Sequence, residues 1–180
     1  MPDTSGEFQP REILRTLNEE GVEYVVIGGL AAVFHGSSLP TQDVDVLPAR
    51  ERANLDRLAA ALNRLGARIR TAGDAVPTRI DAAFLSAMPL MLNLETDAGD
   101  LDIAFEPAGP RSDFDQWNAG AQDLDLGDGL AIRVASLQAI IDSKTAAGRP
   151  KDQMALPYLE SLRDQLSNPT ATQDPTSQQD

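Results

Sequence analysis

Residues 24–46, reading YVVIGGLAAVFHGSSLPTQDVDV, constrain this chain more than any other stretch. The run 24–27 is apolar and rich in β-branched residues, short enough for a buried strand, and it stops at Gly28-Gly29. Only residues without a Cβ let a ligand approach the backbone closely, so the pair is expected to form a turn whose N–H groups meet phosphate oxygens. Residues 30–34 then read as a short helix of mostly small residues, its N-terminus directed at whatever the turn holds. His35, Gly36 and Pro40 end that helix. His35 is the only histidine in the chain and has no partner motif, which favours a structural role at the helix end.

From Thr41 the pattern changes to period two. In Asp43, Val44, Asp45 and Val46 the two carboxylates fall on one strand face and the valines on the other. Mg2+ takes oxygen ligands, typically one or two carboxylates together with substrate phosphates and water. Phosphoryl-transfer sites use such ions to neutralise charge during an in-line displacement. Two aspartates on a strand beside a phosphate-holding glycine turn supply both parts of that arrangement.

An apolar strand, Gly-Gly, a short spacer and DVDV together resemble the signature of the nucleotidyltransferase superfamily with the polymerase-β type fold. The resemblance continues at 93–105, NLETDAGDLDIAF, which is similar to the later strand that brings a third carboxylate beside the first two. By period-two counting Leu101, Ile103 and Phe105 share one face and Asp102 lies opposite between apolar neighbours, which makes it the expected third ligand. Asp100 shares its face, and spacing alone leaves Asp100 open as the ligand. Residues 134–152, VASLQAIIDSKTAAGRPKD, resemble the closing segment of one bacterial branch, the abortive-infection (AbiEii-like) toxins and their relatives, where a Lys, an Arg and an Asp follow an apolar helix. Here these are Lys144, Arg149 and Asp152. The chain departs from the pattern at the turn: many members carry Gly-Ser, and Gly28-Gly29 offers no serine contact to phosphate.

The resemblance implies an α/β (α+β) fold, a polymerase-β-like mixed sheet with flanking helices and a helical C-terminal segment, while length and composition fit a single domain over residues 7–166 with disordered tails expected at 1–6 and 167–180. The resemblance also implies that Gly28 and Gly29 hold the phosphates of an NTP, and that Asp43, Asp45 and Asp102 bind two Mg2+ ions, with Asp102 as the candidate base. Lys144 is then expected to offset phosphate charge and Asp152 to orient it, so that both join the nucleotide site. The implied reaction moves an NMP to an acceptor hydroxyl and releases pyrophosphate. The acceptor class stays open among RNA or tRNA ends, a protein side chain, and a small hydroxylated molecule such as an aminoglycoside. A toxin–antitoxin component with an antitoxin partner is one version of this reading. A non-catalytic nucleotide-binding or antitoxin-type module is the alternative, and it predicts a damaged carboxylate set, whereas all three aspartates are present.

Composition narrows the partners. With 28 acidic against 15 basic residues the net charge is −13, and the overall field repels polynucleotides. The absence of cysteine removes disulfides, thiol nucleophiles and cysteine-based zinc sites, and fits a reducing compartment. The first ten residues are polar, and no apolar run approaches the ~20 residues that span a bilayer. A cytoplasmic protein with no membrane partner is therefore expected.

The remaining segments read as scaffold. Residues 8–20 carry Phe8, Ile13, Leu14 and Leu17 at helical spacing before Gly21, and 49–65 carry Leu55, Leu58, Leu62 and Leu65 before Gly66. Arg50, Arg52, Arg57 and Arg64 are expected on a solvated face of the second helix. Residues 67–70 read as a short strand and 73–77 as a loop, with Arg79 a candidate surface arginine. Residues 106–129 read as a short helix and an acidic loop in which Asp123-Leu124-Asp125 imitates the DxD spacing without chemistry. A last strand at 130–134 precedes a helix at 137–147 capped by Ser136. A final helix at 151–166 is expected to bury Met154, Leu159 and Leu162, with Pro157 marking a first turn or kink.

Overall fold

A computed structural model describes residues 7–168. In chain order the elements are α1 (Pro10–Glu19), β1 (Tyr24–Ile27), α2 (Gly28–Phe34), β2 (Asp43–Pro48), α3 (Arg52–Arg64), β3 (Arg68–Ile69), α4 (Ala82–Ala87), β4 (Met91–Thr96), β5 (Gly99–Ala104), α5 (Phe114–Ala119), β6 (Gln122–Asp125), β7 (Ala131–Val134), α6 (Leu137–Ala147) and α7 (Pro150–Ser167). The strands form one sheet in the order β3-β4-β5-β2-β1-β7-β6. It is mixed: β2 runs parallel to β5 and β1 parallel to β7, while the other neighbours are antiparallel.

Register decides which side chains share a face. Val44 and Val46 of β2 pair with Leu101 and Ile103 of β5, which pair in turn with Leu94 and Leu92 of β4. This face joins Ile13, Leu14 and Leu17 of α1 and Leu55, Leu58 and Leu62 of α3 in one buried cluster. Truncating a fully buried leucine such as Leu58 or Leu101 to alanine costs about 2–5 kcal/mol at such sites. The opposite face carries the polar alternates: Asp43 beside Asp100, Asp45 beside Asp102, and Asn93 beside Asp102 from the other side.

Several expectations need correction. The segment 93–105 is not one strand: β4 and β5 form a hairpin in which Thr96 Oγ1 donates to the Gly99 carbonyl at 2.6 Å and accepts from the Ala98 N–H at 3.1 Å. Gly99 at φ +111° supplies the reversal, a conformation open to glycine and strained for other residues. Asp123-Leu124-Asp125 lies not in a loop but on β6, an edge strand paired with β7, where Arg133 Nη1 donates to Asp123 at 2.9 Å. In α7 Met154 is 83% exposed rather than part of an inner stripe, and Leu159 with Asp152 takes the buried positions. Pro157 sits inside that helix, well past the first turn, which Pro150 opens instead. Ser167 closes α7 and Asn168 caps it, so the helix runs further than the expected tail boundary; the expected tails at 1–6 and beyond 168 lie outside the described residues. Ser136 caps α6 as expected, its Oγ accepting from Ala139 N at 3.2 Å. No helix among the described residues is long and apolar enough to cross a membrane.

Candidate active site

The carboxylates of Asp43, Asp45 and Asp102 converge. Each offers an oxygen, and these atoms lie within 4.8 Å of one another. β2 supplies the first two at alternate positions, and β5, its parallel neighbour, brings Asp102 directly beside Asp45. Asp100 is in register with Asp43 but stands outside this group. Its carboxylate instead accepts from Arg70 Nη1, while Arg70 Nη2 donates to Asp102 Oδ1 at 2.8 Å. Asp43 is steadied by Thr41, whose Oγ1 donates to Asp43 Oδ1 at 3.2 Å.

The electrostatics follow from three like charges on a half-covered strand pair. Burial, and after it the neighbouring charges of Asp43 and Asp102, push the Asp45 carboxyl up to about 7. Burial likewise raises Asp102, against the hydrogen bonds of Asn93 and Arg70, which favour its charged form. A cluster so poorly compensated by its own protein has the donor chemistry of a divalent-cation site: hard oxygens, from two adjacent strands, with spare negative charge. The residues present therefore fit Mg2+.

Gly28 and Gly29 are the first two residues of α2, so the expected turn is the helix's own first turn, entered directly from β1. Gly28 has φ +66°, and a Cβ there would stand 2.1 Å from Asp45 Oδ2. A Cβ on Gly29 would stand 2.8 Å from Thr41 Oγ1. The glycine pair thus abuts the carboxylate pair. His35 is structural in placement: its Nε2 lies 2.8 Å from the Ala135 carbonyl, tying the end of α2 to the segment between β7 and α6.

The C-terminal charges form a second group behind the first. Lys144 Nζ donates to Asp152 Oδ1 at 2.9 Å, and Arg149 Nε donates to Asp152 Oδ2 at 2.6 Å. Gly148, left-handed at φ +60°, lets α6 stop and α7 start so that these three side chains meet. Burial would raise the Asp152 carboxyl, but the hydrogen bonds of Arg149 and Lys144 outweigh it and hold it below the usual range. Asp152 has a fully buried side chain, so it can act on a ligand only through Lys144 and Arg149. The fields of Lys144 and Lys151 both reach Asp45, and those of Asp45 and Asp43 reach Arg149, which places this group alongside the carboxylates. Arg79, by contrast, is exposed and, among the described residues, forms its ion pair with Asp81, at 3.7 Å.

Three residues beside the site had no sequence signature of their own: Thr41, Lys151 and Arg70. Arg70 belongs to the arginine-rich region 50–70 but lies just beyond β3, and nothing in that run singles it out from its neighbours. Other arginines of that region serve the scaffold. Arg50 donates to the Ser86 and Met88 carbonyls and lies over the Phe105 ring, and Arg64 pairs with Glu19 and Glu20.

No family model matches the chain, and no curated protein matches it in sequence. Solved structures do. The lincosamide antibiotic adenylyltransferase LnuA, bound to lincomycin, superposes with a TM-score of 0.58 at 18% identity, covering 87% of this chain and 99% of its own. The assigned nucleotidyltransferase TM1012 of Thermotoga maritima gives 0.53 at 17% identity over 91% of this chain and 97% of its own. ANT(2")-Ia in complex with adenylyl-2"-tobramycin gives 0.51 at 19% identity over 90% and 97%. The fold is that of the nucleotidyltransferases. At these identities the likeness is one of fold.

Proposed function

We propose that residues 7–166 form one catalytic unit, a Mg2+-dependent nucleotidyltransferase that moves an NMP from an NTP to an acceptor hydroxyl. The observation that carries this reading is the convergence of Asp43, Asp45 and Asp102 within 4.8 Å, against the glycine pair that opens α2. Asp43, Asp45 and Asp102 would hold the ions, and Gly28 and Gly29 would present backbone N–H groups to the phosphates. Bound Mg2+ would neutralise phosphate charge and ease loss of the acceptor proton.

The chemistry left to the chain is positioning and proton transfer. The acceptor oxygen forms a bond to the α-phosphorus while the bond to the bridging oxygen of pyrophosphate breaks in line. Asp102, whose carboxyl is raised by burial, takes the acceptor proton. Lys144, steered by buried Asp152, offsets charge on the departing phosphates. The intact carboxylate set disfavours a purely non-catalytic module.

For the acceptor, two considerations favour a small hydroxylated molecule. The net charge of −13 opposes recruitment of RNA or tRNA. Two of the structural neighbours are described with small antibiotics, lincomycin and adenylylated tobramycin. Incubation with each α-labelled NTP, Mg2+ and, in parallel, aminoglycosides and lincosamides, total tRNA and a protein extract tests the reading. Label transferred to a small molecule with pyrophosphate release supports it. Label on tRNA or protein would redirect the acceptor, the former towards the toxin-type role, and absence of transfer with every acceptor counts against the enzyme.

A further inference from the structure

Arg70 is the cation already seated on the carboxylate cluster. Its guanidinium is forked, with Nη1 on Asp100 and Nη2 on Asp102 at 2.8 Å. The backbone holds it there from two sides. Arg70 N donates to the Asn93 carbonyl at 3.0 Å, and the preceding Ile69 exchanges two backbone hydrogen bonds with Val76, at 3.0 and 2.9 Å, closing the loop that follows. Within that loop Thr71 Oγ1 donates to the Asp74 carbonyl at 2.9 Å and accepts from Gly73 N at 3.1 Å. The Arg70 side chain is 29% exposed, so it is a partly desolvated group and not a loose surface arginine.

We infer that Arg70 is a resident counter-ion that competes with the divalent cation for Asp102, and that Asp100 is its tether. The inference rests on the metal reading of Asp43, Asp45 and Asp102. The physical argument is one of charge and distance. Three carboxylates within 4.8 Å repel each other, and Arg70 is the cation hydrogen-bonded to one of them. A divalent ion placed among the same oxygens meets that guanidinium a few ångströms away, close enough for the two positive charges to repel through a medium far less screening than water. Ion binding therefore displaces Nη2 from Asp102, while Nη1 keeps its bond to Asp100. This explains why β5 carries two aspartates on one face, of which only Asp102 belongs to the cluster. The consequence is a site whose ion affinity is weak in the free protein and depends on the additional oxygens that a nucleotide brings.

The test is Mn2+ binding to the full chain without nucleotide, followed by electron paramagnetic resonance, for wild type, Arg70→Gln and Arg70→Lys, with D43N/D45N as the site control. Gln keeps an amide donor and removes the charge, whereas Lys keeps the charge and removes the fork. The expected result is roughly tenfold tighter Mn2+ binding in R70Q and near wild-type binding in R70K, since charge decides. Weaker or unchanged binding in R70Q overturns the inference and would make Arg70 an orienting or merely structural group. Thermal melting of each variant separates these outcomes from misfolding, and a melted R70Q is replaced by Arg70→Met, for which the same tightening is required. Absence of Mn2+ binding in wild type and R70Q alike, or binding that is unchanged in D43N/D45N, defeats the metal reading itself and so is distinguishable from failure of the Arg70 proposal.

Discussion

Gly28 and Asp45 face each other so closely that a Cβ on the glycine would overlap Asp45 Oδ2, at 2.1 Å. The glycine is therefore required twice, once by its left-handed φ of +66° and once by the carboxylate across from it. Gly28→Ala should cost about 1–2 kcal/mol from the backbone alone and should also push Asp45 out of the cluster. Mn2+ binding and transfer are expected to fall together. Gly29→Ala meets a threonine hydroxyl that can rotate, so it should be milder in both. Calorimetric titration of Mn2+ into the two variants checks the order, and equal effects would show that Asp45 is not the reason for Gly28.

Replacing a carboxylate tests the cluster directly. Asp45→Asn should lower transfer roughly a hundredfold or more, because the charge that would hold the ion is gone. In the absence of metal the same variant should melt higher than wild type, since burial and two neighbouring carboxylates disfavour the charge that Asn lacks. Thermal melts with EDTA and with Mg2+ check both halves. Near wild-type transfer in D45N would remove the metal assignment.

The pH dependence has a definite sign. The Asp45 carboxyl titrates near 7 in the folded chain against 3.8 as its ordinary value. Between these values the folded state binds more protons than the unfolded, so metal-free stability falls as pH rises from about 4 to about 7. The melting temperature in EDTA should drop by a few degrees over this window more in wild type than in D45N. With Mg2+ the stabilisation by the ion should grow over the same window, because the ion requires the deprotonated carboxylate. A rising melting temperature in EDTA attributable to Asp45 would contradict the stated electrostatics.

Much of this site was legible because its parts repeat at strand spacing. Asp43 and Asp45 alternate with Val44 and Val46, and period two alone puts the carboxylates on one face. Asp102 was legible as a third carboxylate, but its separation from Asp100 was not, since both share a face and only the register with β2, which puts Asp102 beside Asp45 and Asp100 beside Asp43, tells them apart. The β4–β5 hairpin was hidden because its turn is closed by a threonine side chain and one left-handed glycine inside an otherwise strand-like run. Met154 misled because apolar spacing on α7 competes with Asp152, a charged residue whose burial depends on partners from α6 and the residue before α7. Pairings between distant segments leave no local signature.

Lys144 carries two duties that one substitution confounds, and separating them is the most informative experiment on the C-terminal segment. Its ammonium holds Asp152, which is completely buried, so Lys144→Met leaves that carboxylate to Arg149 alone and should cost about 1–3 kcal/mol of stability. A loss of transfer in this variant is thus uninformative by itself. The double variant K144M/D152N removes the orphaned charge together with its partner, and replacing both members of a buried pair is far less costly than breaking it. Its melting temperature should recover towards wild type. If Lys144 offsets phosphate charge, transfer stays low in the double variant despite the recovered stability; if Lys144 serves the scaffold, transfer returns with the melting temperature. Lys151 is exposed, yet its field also reaches Asp45. Lys151→Ala should leave stability within about 0.5 kcal/mol and lower transfer severalfold with the loss concentrated in KM for the NTP. An unchanged KM in K151A would leave Lys144 and Arg149 as the cations of this segment that can meet the nucleotide.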